Sequence, residues 1–124
     1  MRTKSILLTP IIFLSLQVIA QEGASSLKYG PDSLLCEESL AIYSEFYKQK
    51  NHKDAYEPWV YLFNNAPKRT RNIYTHGPKI IKGIIKGLSE EDQERKAKLV
   101  DSLMMVYDQR NKYYPGQEAY ALGL

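Results

Sequence analysis

The chain has one cysteine, one tryptophan and three phenylalanines among its 124 residues. A single thiol, Cys36, excludes an intramolecular disulfide, so stability has to come from packing. Cys36 itself reads as a small core residue, the usual setting of a free cysteine. No G-x-S-x-G, P-loop or dinucleotide-binding fingerprint occurs. His52 and His76 have no partner at metal-ligand spacing, and both read as surface or turn residues. The sequence therefore assigns no catalytic residue, no metal ligand and no cofactor, and the chain reads as a non-enzyme. Acid is missing from one whole stretch: between Pro58 and Ser89 stand Lys68, Arg69, Arg71, Lys79, Lys82 and Lys86 without an Asp or Glu.

The one long apolar run, residues 6–19, has 14 residues and is interrupted by Pro10 and Gln17. That is short for a membrane span of about 20 residues. Arg2 and Lys4 precede it, and Val18-Ile19-Ala20 supplies a cleavage site before Gln21. The pattern is that of a secretory signal peptide over residues 1–20, cut between Ala20 and Gln21. Its removal takes two cations with it and lowers the formal net charge from +3 to +1. The mature chain, residues 21–124, has room for one small domain.

Residues 21–32 read as a polar linker that ends in the turn Gly30-Pro31-Asp32. Asp32 or Ser33 then caps a first helix over about 33–49, with Leu35, Ile42 and Phe46, together with Cys36, Tyr43 and Tyr47, as its apolar stripe. Asn51 caps a second helix over about 52–65. Gly77-Pro78 reads as the start of a third helix, about 78–87, since proline suits the first helical position. A short helix at 71–75 precedes it or joins it through a kink. Ser89 reads as the cap of a fourth helix, about 90–112, with Glu90, Glu91, Asp92 and Glu94 complementing its dipole. Leu99, Leu103, Val106 and Tyr107 recur on that helix at helical spacing.

Within the first pair, Phe46, Ala55, Trp59, Leu62 and Pro67 fall at offsets that resemble the second half of a tetratricopeptide repeat, a helix-turn-helix unit of about 34 residues. A small residue at Ala55 lets the helices approach, and Trp59 and Leu62 fill the groove between them. Pro67 ends the second helix. The resemblance covers 33–67 best. It implies an all-α fold of antiparallel helix pairs, about 33–67 and 68–115, stacked as a short α-solenoid within a domain spanning 33–116. It also implies a partner-binding groove lined by Leu40, Ser44, Tyr47 and Lys48, with Glu37 beside them. The chain departs from the family at three points. Lys50 stands where glycine is usual and Tyr43 where a small residue is usual, and Pro58 lies inside the second helix. The Lys and Asn pair with which some members grip an acidic C-terminus is replaced by Leu40 and Ser44.

Two readings of the basic segment compete. The run PKIIKGIIKGL is amphipathic and basic, as membrane-surface helices are. It equally fits a core helix whose Lys79, Lys82 and Lys86 snorkel from the edge of an apolar stripe. The ten tyrosines are assigned mostly to packing, and Tyr47 to the groove. Residues 117–124 read as the opening of a further helix with no cap behind it. This makes the chain read as the N-terminal portion of a longer repeat protein that self-associates through an uncapped end. The expected function is an exported scaffold module for protein–protein interaction in the bacterial cell envelope, periplasmic or secreted, with no nucleic-acid partner. The alternative is an envelope module bound to a membrane surface through residues 78–88.

Overall fold

The computed structural model describes residues 26–116. The expected signal peptide and its Ala20–Gln21 cut, and the expected helix at 117–124, lie outside the described residues. Those described form four helices: α1 (Ser33–Lys48), α2 (His52–Asn65), α3 (Asn72–Gly87) and α4 (Gln93–Tyr113). No strand occurs among them.

Local chemistry fixes the first two helix starts. The Asp32 Oδ1 accepts the Leu35 amide at 3.0 Å, and the Asn51 Oδ1 accepts that of Asp54 at 3.2 Å. Both satisfy a donor that the helix leaves unpaired. α1 ends in a Schellman turn: the Asn51 amide donates to the Phe46 carbonyl and the Lys50 amide to that of Tyr47. Lys50 has φ +58°, the left-handed conformation this turn requires. α2 runs unbroken through Pro58.

For the third helix the structure takes the joined alternative: α3 begins at Asn72, and Pro78 lies inside it instead of opening it. Ile73 and Tyr74 are buried, at 0% and 2% exposure, so tertiary burial draws the 72–77 stretch into the helix ahead of the local proline signal. α4 begins later than Glu90. Ser89 Oγ hydrogen-bonds Asp92 Oδ2 at 3.3 Å instead of capping a helix. Of the four acids only Glu94 falls in the first turn. Residues 26–29, within the expected linker, form a helical turn. That turn is tied down, since the Lys68 amide donates to the Leu27 carbonyl. Gly30, at φ +73°, lies so close to the Asn65 carbonyl that a Cβ there would sit 2.7 Å from its oxygen.

The core is centred on α2. Ala55, Trp59, Leu62 and Phe63 are buried. Trp59 donates its Nε1–H to the Ile73 carbonyl at 2.8 Å and stacks on Phe63 with centroids 5.2 Å apart. α3 contributes Ile73, Tyr74, Ile80, Ile81 and Ile84, and closes onto α2 through bare backbone, because a Cβ on Gly77 would collide with the Trp59 ring. α1 turns most of its expected stripe inward, with Leu35 and Ile42 left at the exposed edge. Cys36, Ser39 and Tyr43 are buried, whereas Leu35 and Ile42 remain 39% and 41% exposed. Phe46 and Tyr47 pack on the core as partly buried residues. On α4, Leu99 and Val106 are buried and Leu103 partly so. The side chains α4 leaves outside are Val100, Met104 and Met105. Each helix packs on the next in sequence. In addition, Gln109 of α4 reaches back across α3, donating to the Phe63 carbonyl and the Tyr74 hydroxyl. The pairs recur 39 residues apart from α1 to α3 (33 to 72) and 41 from α2 to α4 (52 to 93).

Candidate functional site

The four residues expected to line a groove lie along α1, but they are not equally open. Leu40 is partly buried and packs on the core, and Ser44 is half-buried. Tyr47 stacks on His76 of α3, with centroids 3.9 Å apart and planes 15° from parallel. Lys48 is exposed. His76, expected at the surface or in a turn, is instead half-buried between α1 and α3, where its Nδ1 lies 3.2 Å from the Tyr43 hydroxyl. Burial first, and then the charge of Lys79, hold its pKa below the ordinary histidine value. Burial pushes the Tyr43 hydroxyl up to about 12, and that of Tyr74 likewise to about 12. Both are therefore neutral hydrogen-bonding groups near neutral pH. Tyr74 uses its proton on the Pro67 carbonyl at 2.6 Å.

Glu37, beside the expected groove, is held by a two-pronged bond from Arg69. Nε and Nη2 donate at 2.6 and 3.0 Å to its two oxygens. Arg69 holds the Glu37 carboxyl below its usual pKa range through this hydrogen bond. One of the six cations of the acid-free stretch is thus neutralised within the fold, tying the start of α1 to the α2–α3 connection.

A concave surface lies beyond Lys48, at the end of the molecule where α1 turns into α2. A cleft of about 390 Å³ is lined by Tyr47, Lys48, Lys50, His52 and Lys79. It shares Lys50 and His52 with a second cleft of about 490 Å³, which runs past Lys53 over Gly83, Ile84, Gly87 and Leu88 to Asp92 and Arg95. The His52 ring sits against bare backbone at Gly83, and a Cβ there would meet the ring. Sequence reasoning placed Tyr47, Lys48 and Lys79 among functional residues but missed Lys50, His52, Lys53 and Arg95. The lysines of the turn were a visible signal, whereas Arg95 lies more than forty residues away and only folding brings it near.

The amphipathic face of α3 is consumed by the fold. Ile80 and Ile81 are fully buried and Ile84 is 9% exposed, while Lys79, Lys82 and Lys86 face solvent. Among the described residues no helix is long and apolar enough to cross a membrane, and no group of His, Cys, Asp or Glu is placed to hold a metal. No family model, curated protein or solved structure matches the chain.

Proposed function

We propose that this chain is a tetratricopeptide-like scaffold module, exported to the cell envelope, that binds another protein through the side of α1 bearing Leu40, Ser44, Tyr47 and Lys48. The observation that carries the reading is the fit of Gly77 against Trp59. Gly77 lies 34 residues after Tyr43, one repeat length on. Counted by repeat length it stands where Tyr43 does, though earlier in its own helix, and it supplies a small residue where α3 of the second pair meets α2 of the first. Lys50 in the left-handed conformation, where the family usually has glycine, supports the same frame. The longer spacing between helix starts marks a divergent second unit. Such units present surfaces to partners.

The membrane-surface alternative is less well supported. A surface helix inserts its apolar face, and α3 spends that face on the core. Export rests on the N-terminal sequence pattern alone, with a mature end at Gln21 or a few residues beyond. A photo-crosslinking side chain at Lys48 in producing cells tests the binding reading, with the same probe at Glu57 on exposed α2 surface as the control. One discrete protein adduct from position 48 and none from 57 is the expected result. Equal patterns from both positions, or none from either, contradict it.

A further inference from the structure

The double cleft at the α1–α2 turn gathers positive charge from the whole fold. Lys48 ends α1, Lys50 lies in the turn, Lys53 opens α2, Lys79 comes from α3 and Arg95 from α4. Asp92 is the one carboxylate among the residues lining it. The ion pairs formed among the described residues are Arg69–Glu37 and Lys98–Glu94, and neither involves these five cations. Arg95 also borders an adjoining cleft where Glu91, Asp92 and Glu94 stand, so the excess of positive charge lies on the Lys48, Lys50, Lys53 and Lys79 side. Like charges brought together with little counter-charge repel one another, so that side is most favourable when an anion lies between its members. The floor is apolar: Leu88, partly buried, over Ile84, which is only 9% exposed. Nothing stands within 4 Å of where a Cβ on Gly87 would project.

We infer that this cleft takes an acidic segment of a protein partner, with carboxylates on the cationic rim and an apolar side chain on the Ile84–Leu88 floor. The inference rests on the protein-binding reading and names the chemistry of the partner. Charge complementarity selects the acidic character. The concave shape selects a peptide over an anionic bilayer, because the isoleucines that would insert into lipid are buried in the core. The flanking Tyr47 and Lys48 make the cleft continuous with the α1 side already assigned to the partner.

The test uses the full chain and two fluorescent peptides, one of repeated Glu-Glu-Leu and one of repeated Gln-Gln-Leu. Vesicles of equal parts phosphatidylcholine and phosphatidylserine serve as the third probe. The Glu peptide is expected to bind and to weaken as salt screens the rim, while the Gln peptide and the vesicles do not bind. The pair Lys50→Glu and Arg95→Glu should abolish binding. Gly87→Leu keeps every charge but fills the cleft, and should weaken binding by about tenfold or more, equivalent to a loss of about 1.4 kcal/mol. Lys53→Gln with Lys79→Gln, both at exposed positions, gives a second charge variant should the reversal fail to fold. Glu-peptide affinity unchanged by Gly87→Leu, or by loss of the charges, would overturn the inference. So would equal binding of the two peptides, sedimentation with the vesicles, or no peptide binding at all. Absence of peptide binding alongside a specific adduct from position 48 overturns the acidic partner but leaves the binding reading standing; absence of both removes both.

Discussion

Lys50 occupies the left-handed turn between α1 and α2 at φ +58°, a conformation that costs a residue with a Cβ roughly 1–2 kcal/mol. Lys50→Gly is therefore expected to raise stability by about 1 kcal/mol in chemical denaturation, while removing a charge from the cleft. Gly77 presents the opposite case. Its missing side chain is what admits the Trp59 ring, and a rigid buried indole has nowhere to move. Gly77→Ala should cost on the order of 1–3 kcal/mol. Gly83→Ala should cost clearly less, because the group it meets is the half-buried ring of His52 at the start of α2. Equal melting temperatures for the two variants would contradict this ordering. Trp59→Ala, which also removes the indole donor to the Ile73 carbonyl, should cost roughly 3–5 kcal/mol.

At the scale of the element, α1 and α3 meet through a titratable ring. His76 is neutral where it stacks on Tyr47 and meets Tyr43, and its pKa is lowered from 6.5. The unfolded chain therefore takes up this proton first as pH falls. Stability from this group is full above about pH 6.5 and is lost as pH falls through the folded value. Thermal melting below pH 6.5 is expected to show this loss, and His76→Gln to flatten that part of the profile. An unchanged slope in the variant would place the acid sensitivity elsewhere. The elements also show what local sequence can carry. The caps at Asp32 and Asn51 were legible because side chain and amide lie within three residues of each other. For α3 the local signals left two starts open, near residue 71 and at Gly77-Pro78, and only the burial of Ile73 and Tyr74 chooses the earlier one. The stripe of α1 was legible as a broad one that held both Leu35–Ile42 and Cys36–Tyr43. Only the partners on α2 and α3 decide that the second pair is buried and the first is left at the edge.

For the whole molecule, the first-pair spacing around Ala55 and Trp59 was legible, and both residues are buried as it required. The basic cleft was not, since its rim is drawn from four helices and a turn spread from residue 48 to residue 95. Apolar side chains left outside α4 are Val100, Met104 and Met105, at 41%, 50% and 57% exposure. Association through this flank is expected at high concentration, and Met104→Lys should shift sedimentation toward monomer. A full chain that stays monomeric throughout would count against it. The central claim, a protein-binding side formed by α1 and the turn beyond it, is tested most directly by hydrogen–deuterium exchange of the full chain, free and bound to the partner captured at position 48. Slowed exchange concentrated in residues 40–53 and 76–88 is the expected result. Protection confined to the outer side of α4 around Val100 and Met104, with residues 40–53 unchanged, would contradict it.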